Sequence, residues 1–300
     1  MSDVTVVVPT YNRGAILVST LETLLALDPA PAEIIVVDQT AEHPPDVAAT
    51  LQRWHDARRI RWIRSEVPSI PRAMNEGLRQ AATPIVLFLD DDVAPVSSIV
   101  AAHEAVYDDP SVWAVVGQCL QPGQWPAHFS PPSRPHLGIP DLEMHFNHDA
   151  PFDARNAIAM NLSVRRERAL GIGGFDEKFV MVAYRFESDF ALRLTDAGGR
   201  IRFEPRAAVR HLRLPTGGTR AWGDHRSSAH PAHSVGDYYF ALRHARSFWI
   251  YALDRLRRNV LTRYHLAHPW AIPPKLAGEI RGMLMARRLA RTARTSRPSS

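Results

Sequence analysis

A chain of 300 residues, 45% of them hydrophobic, is long enough to bury a large core and suits one sizeable domain with an appendage. The formal charge of +5 rests almost wholly on arginine, Lys178 and Lys275 being the lysines; its concentration beyond residue 240 favours a phosphate ligand or an anionic membrane surface over nucleic acid. The single cysteine, Cys119, excludes an internal disulfide and a cysteine-based zinc cluster, and no stretch reads as a signal peptide or membrane span, so a soluble, cytoplasmic protein is expected.

In chain order, Val4 to Val8 is a β-branched run stopped by Pro9, and Thr10, Tyr11, Asn12 and Arg13 follow as a loop. Ile16 to Leu27 has helical spacing, Glu33 to Val37 is a strand ending in Asp38, and Val47 to Ala57 reads as a helix. A third strand is expected over Ile60 to Ile63, a helix over Ile70 to Ala81, and a strand buried on both faces over Ile85 to Leu89. Such alternation implies an α/β fold with a mostly parallel sheet and right-handed crossovers, which places Thr10, Asp38 and Asp90 along one edge.

That edge carries the chemistry. Asp90, Asp91 and Asp92 repel one another at the end of a strand unless a cation or a set of donors sits among them, and strand ends of an open α/β sheet are where ligands bind. The functional reading is a hard divalent metal holding a phosphorylated ligand. The plain alternative is a solvated acidic turn before a helix at Val96, but three strands delivering polar or acidic residues to one rim weigh against it.

Two long segments lack periodicity. Gln121 to Asn156 is rich in Pro and His and carries Trp125, Phe129 and Phe146, and a loop this long inside a compact domain is usually functional. Its His136, His145 and His148 match no motif for a second metal. Leu214 to Val235 contains Gly217, Gly218, Thr219 and Arg220, a glycine-rich run that permits movement or is a plain surface loop. From Tyr238 the chain reads as helical and basic, with Tyr238, Leu242, Ala245, Trp249, Leu253, Leu256 and Val260 on one face. A second basic stretch runs from Lys275 to Arg294 after a break at Pro273 and Pro274, and Thr292 to Ser300 reads as a disordered tail. These helices suit an anionic membrane interface, with Phe248, Trp249 and Tyr251 at headgroup depth, and equally suit covering the core or pairing two subunits.

The runs Val4 to Arg13, Ile34 to Thr40, Pro71 to Gly77 and Phe88 to Val93 together resemble the nucleotide-binding half of family 2 glycosyltransferases, which have the GT-A fold. Gly173 to Phe179, Phe186 to Leu194, Gly198 to Pro205 and His211 continue the resemblance in order, so that it covers about residues 3 to 245. It implies a GT-A domain over 1–235, divided into a nucleotide-binding half (1–95) and an acceptor half (96–235), followed by a helical extension over 236–300.

For this sequence the resemblance implies that Pro9, Thr10, Tyr11, Arg13 and Asp38 hold the nucleoside, Tyr11 by stacking and Asp38 as an acceptor. A strand-end turn for Thr10 and a helix N-cap for Asp38 are the bland alternatives. Alternate carboxylates face one way, so Asp90 would meet the ribose or diphosphate and Asp92 the metal, with Asp91 less defined. His211 would complete the shell of Mn2+ or Mg2+, a neutral imidazole favouring manganese, or else be structural. Glu187 aligns with the family's catalytic base, with Asp189 beside it as a second acid or as an N-cap, while Phe186 occupies the place of the family's other acid. Met74 also departs from the pattern, leaving Arg72 or Arg220 to face the diphosphate and Asn75 retained.

The function so implied is metal-dependent, inverting, non-processive transfer of one sugar from a UDP-, GDP- or dTDP-sugar to a hydroxyl of a lipid-linked saccharide, cell-surface glycan or natural product. A processive synthase is disfavoured because no Gln-x-x-Arg-Trp motif follows. The alternatives are a non-catalytic nucleotide-binding or membrane scaffold, and a sugar nucleotidyltransferase, which would need a Gly-rich loop after the first strand.

Overall fold

A computed structural model describes residues 2–129, 144–212 and 224–295. The first half alternates β1 (Val4–Thr10), α1 (Ala15–Leu25), β2 (Glu33–Asp38), α2 (Pro45–Asp56), β3 (Arg61–Arg64), α3 (Ile70–Gln80) and β4 (Ile85–Leu89). Then come β5 (Val93–Pro95), α4 (Ile99–Glu104), β6 (Val112–Leu120), β7 (Phe152–Ala154), β8 (Asn161–Arg165), α5 (Arg166–Gly171), α6 (Phe186–Asp196) and β9 (Arg200–His211). The chain ends in α7 (Val235–His244), α8 (Phe248–Val260), α9 (Arg263–Ala267) and α10 (Ile272–Thr295).

The strands form one nine-stranded sheet in the order β3-β2-β1-β4-β8-β6-β9-β5, with β7 on the other part of β9. The first four strands in that order run parallel, as the alternation demands, and β8 lies antiparallel between β4 and β6. Val4, Val6 and Val8 point into a core shared with Leu17, Leu21 and Leu24 of α1 and with Leu51 and Trp54 of α2. On the opposite face Val7 meets Gly77 of α3, where a Cβ would collide with the valine, so Gly77 serves close packing.

The described residues fall into two compact units, 2–129 with 144–175 and 190–212 in the first, and 176–189 with 224–295 in the second. The second unit takes in 176–189 and 224–235 together with the C-terminal helices. Some element boundaries differ from those read in the sequence. The helix expected at Val96 begins instead at Ile99, after the short β5 and a turn. The expected strand over Ala207 to Arg210 is the end of a strand that starts at Arg200. Pro273 and Pro274 do not interrupt the last helix but lie in its first turn, where missing N–H groups leave no bond unmade.

The apolar face expected to run continuously from Tyr238 to Val260 does not exist. The chain turns extended at Ala245, so α7 and α8 are separate helices, and α8 buries Tyr251, Ala252, Arg255 and Val260 while Trp249 and Leu253 face outward. Buried charge explains the inversion. Asp237 accepts hydrogen bonds from the Tyr251 hydroxyl at 2.6 Å, from Arg185 at 3.1 Å and from Arg255. Glu279 of α10 accepts from Arg255 at 2.9 Å, from the Tyr238 hydroxyl at 2.9 Å and from Lys275 at 2.8 Å. Several of the basic residues thus neutralise carboxylates inside the unit, where a buried charge needs a partner.

Inside the first unit a second buried polar chain crosses the sheet. The Asn161 amide donates to the Gln118 and Ala207 carbonyls at 3.1 and 2.8 Å, leaving its oxygen to accept from His103 Nε2 at 2.9 Å. His103 Nδ1 therefore accepts from the Ser163 hydroxyl at 2.8 Å, and Ser163 in turn accepts from the Tyr107 hydroxyl at 2.8 Å. Burial pushes His103 down to about 4 and holds it neutral. An unfolded imidazole titrates near 6.5, so this group's stabilising effect is complete above that pH and is lost as pH falls towards 4. The stability difference between the wild type and His103→Gln should therefore narrow by roughly 3 kcal/mol between those two pH values in urea denaturation. A difference independent of pH would contradict a neutral buried His103.

Candidate functional site

The site lies along the carboxyl ends of β1, β2 and β4. Register places Thr10 opposite Asp38, and the chain leaves β4 directly into the acidic triplet. The turn after β1 is set by Asn12 and Gly14, both in the left-handed region with φ of 56° and 53°, a conformation that Asn and Gly tolerate best. Arg13 stands between them, and its guanidinium reaches Asp91 Oδ1 at 2.9 Å and Asp92 Oδ2 at 3.1 Å.

The three carboxylates occupy different surroundings. Asp92 is 1% exposed and Asp91 6%, whereas Asp90 is half-buried. Burial pushes the Asp91 carboxyl up to about 6, with the Arg13 guanidinium and the Thr10 hydroxyl pulling it down and the Asp92 charge adding to the rise. Asp91 is thereby paired with Arg13, while its backbone carbonyl accepts from Thr20 at 2.8 Å.

His211 is delivered by the pairing of β5 with β9. Val93 lies opposite His211, and the Leu212 N–H donates to the Asp92 carbonyl at 2.9 Å. His211 Nδ1 lies 2.9 Å from Gln121 Oε1, and Nε2 lies 3.3 Å from Asp92 Oδ1. With Nδ1–H donating to the glutamine oxygen, a neutral ring turns the Nε2 lone pair towards a carboxylate. Two acceptors so placed require a proton or a cation. One ligand atom from each of Asp90, Asp92 and His211 lies within 4.8 Å of the others, and two carboxylates with one imidazole form a donor set that fits Mn2+ or Mg2+.

Asp38 does not cap a helix, since α2 begins at Pro45 with Pro44 before it. Its carboxylate is buried at the end of β2, where Oδ1 accepts from the Thr40 N–H at 2.9 Å and Oδ2 from Trp62 Nε1 at 2.9 Å. His43 Nε2 meets the same oxygen at 2.6 Å. Arg64 fastens this loop by donating to the Thr40 and Ala41 carbonyls at 2.7 and 2.8 Å. His43 and Trp62 are partners that sequence reasoning missed, and their spacing gives no motif by which to find them. Pro9 and Tyr11 are half-buried beside Thr10.

Arg72 is exposed in the first turn of α3, and Asn75 braces the turn before Phe175, accepting its N–H and donating to its carbonyl, each at 2.8 Å. Arg220, with Gly217, Gly218 and Thr219, lies outside the described residues, as does His136. Trp125 is exposed with Arg210 over its ring, and Phe129 stacks on His145 at 3.8 Å between centroids. His128, His148 and Asp149 come together, but His148 accepts from the Ala150 N–H through Nδ1 and faces the Phe129 carbonyl through Nε2. Both of its ring nitrogens are thus engaged by the chain.

In the second unit, α6 begins at Phe186, so Asp189 lies within the first turn and is no N-cap. Asp189 is fully buried, and its Oδ1 accepts from Arg243 at 2.7 Å and from His244 at 2.8 Å. Glu187 is half-buried. Phe186 is a buried core side chain, which accounts for an aromatic residue in that place. Met181, Ala183 and Arg185 just before the helix all adopt positive φ, of 63°, 54° and 74°, a concentration of left-handed non-glycine residues that costs energy and marks functional segments.

The model of Glycosyl transferase family 2 matches residues 5–189. The pre-mycofactocin glycosyltransferase of Mycobacterium tuberculosis is 29% identical over 213 residues, covering 70% of this chain and 42% of that protein. The validoxylamine A glucosyltransferase of Streptomyces hygroscopicus subsp. limoneus is 35% identical over 104 residues, covering 33% of this chain and 23% of that protein. The chain thus spans less than half the length of these curated relatives. Among solved structures, a mannosyltransferase from Pyrobaculum calidifontis in complex with GDP-Man and Mn2+ superposes with a TM-score of 0.54 at 22% identity, covering 98% of this chain and 80% of that one. S. aureus TarS 1-349 in complex with UDP-GlcNAc gives 0.58 at 15% identity, covering 98% and 92%. At these identities the likeness is one of fold.

The donor set yields a direct expectation. Asp92→Asn and His211→Ala should each weaken Mn2+ binding by about tenfold or more, read as free Mn2+ by electron paramagnetic resonance, while Asp38→Asn leaves it unchanged. Equal affinity in the wild type and Asp92→Asn would remove Asp92 from the metal shell.

Proposed function

The chain belongs to glycosyl transferase family 2, and from that premise we propose that it transfers one sugar from a nucleotide diphosphate sugar to a hydroxyl acceptor, with inversion and with a divalent cation. The observation that carries this reading is the convergence of Asp90, Asp92 and His211 at the rim of the sheet. A UDP-, GDP- or dTDP-sugar is the proposed donor, and the complexes of the structural neighbours with GDP-Man and UDP-GlcNAc support that class. The acceptor is a lipid-linked saccharide, a cell-surface glycan or a natural product.

In this scheme Pro9, Thr10, Tyr11, Arg13 and Asp38 hold the nucleoside, Tyr11 offering its ring face and Asp38 an acceptor at the end of β2. Arg72, or Arg220 in its place, is the proposed cationic partner of the diphosphate. Asp92 and His211, with Asp90, would hold Mn2+ or Mg2+, which supplies charge neutralisation for the departing diphosphate. Arg13 pairs with both Asp91 and Asp92 and orients them at the rim.

Glu187 is the proposed general base. The acceptor oxygen bonds to the anomeric carbon as its proton passes to the Glu187 carboxylate, and the bond from that carbon to the diphosphate oxygen breaks with its electron pair. Asp189 is unsuited to that step, since burial with Arg243 and His244 commits its charge; it positions the first turn of α6. A non-catalytic scaffold gains nothing from Phe186 and Met74, both of which are buried core side chains.

Release of nucleoside diphosphate from a panel of sugar donors, with Mn2+ present, tests the scheme. Glu187→Gln should lower the rate by about 100-fold or more while leaving donor affinity within a few-fold of wild type. Unchanged turnover in Glu187→Gln would assign the base elsewhere.

A further inference from the structure

The second unit presents an apolar surface that its own packing leaves open. Arg255 of α8 meets Glu279 of α10 at 2.9 Å, and Arg287, two turns further along α10, lies over the rings of Phe248 and Trp249 at 5.3 and 4.9 Å. The two helices therefore run in opposite directions alongside each other. On α8 Trp249 and Leu253 are 58% and 67% exposed, and on α10 Ile280 and Leu284 are 56% and 51% exposed. Each pair is spaced by four residues, which aligns it along one helix face. Leu266 and Trp270, on the link into α10, are also exposed.

We propose that this surface of α8 and α10 docks onto the surface of an anionic phospholipid bilayer. The charge around it decides between occupants. Arg257, Arg258, Arg281, Arg288 and Arg291 are exposed. The acids of residues 245–292 are Asp254, paired with Arg258 at 2.7 Å, and Glu279, buried between Arg255 and Lys275. A second copy seated on this surface would bring arginine against arginine, whereas lipid phosphates complement it. Trp249 and Trp270 suit headgroup depth, Leu253, Ile280 and Leu284 reach below it, and the arginine stems lie along the apolar surface with their guanidinium groups at the phosphates. Among the described residues no helix is long and apolar enough to cross a membrane, so the contact is interfacial.

The inference stands apart from the transferase chemistry, because its readout is binding. The full chain is floated with vesicles of phosphatidylcholine alone and with vesicles containing about one third phosphatidylglycerol, at low and high salt. Binding to the anionic vesicles should be at least about tenfold stronger, should weaken with salt, and should fall by about tenfold in Leu253→Ser/Ile280→Ser and in Arg288→Glu/Arg291→Glu. Circular dichroism and the thermal midpoint should stay at wild-type values, since all four side chains face outward. The inference is overturned by absence of binding to either vesicle, by equal binding of the variants, or by a dimer in sedimentation that the same substitutions dissociate.

Discussion

Three consecutive carboxylates at the end of a buried strand set the condition that the rest of the site must meet. Two like charges 4 Å apart repel by about 4 kcal/mol at an effective dielectric of about 20, and burial adds to the cost. The chain answers with Arg13 on Asp91 and Asp92, and with His211 on Asp92. Arg13 is a fixed charge, whereas His211 adds no charge when neutral. A cation among Asp90, Asp92 and His211 would complete the compensation, and this is the basis for the proposed metal centre.

The GT-A fold makes this arrangement by topology. Parallel β1, β2 and β4 end at one edge, so that Thr10, Asp38 and the triplet share a rim although they are far apart in the chain. The antiparallel pairing of β5 with β9 then returns the chain to Asp92 and sets His211 beside it. Gln121, at the end of β6, fixes the imidazole through Nδ1. The departures from the family pattern at Met74 and Phe186 resolve into packing, because both side chains lie in the core.

Much of this was legible in the sequence because strand and helix periods are local. The runs ending at Thr10, Asp38 and Leu89 are short, apolar and bounded by turn residues, so their order alone implied the parallel sheet and its rim. What escaped was set by contacts distant in sequence. The partners of Asp38, namely His43 and Trp62, lie on a loop and the next strand, where no spacing rule applies. The face of α8 was misread because helical periodicity cannot tell a buried stripe from an exposed one when Arg255, a charged residue, is the buried member. Asp189 was open to two readings in the sequence, and its hydrogen bonds with Arg243 and His244 of α7 favour a third.

The central claim is that the rim binds a nucleoside diphosphate through a cation held by Asp90, Asp92 and His211. Thermal unfolding of the wild-type chain with UDP, GDP and dTDP, each with and without Mn2+, tests it most directly. A ligand that binds only the folded state raises the midpoint, by about 2.7 kcal/mol of stability at a hundred times its Kd. The account predicts a rise with at least one nucleotide that largely disappears when Mn2+ is removed. No rise with any nucleotide, or a rise of equal size without the metal, would contradict it.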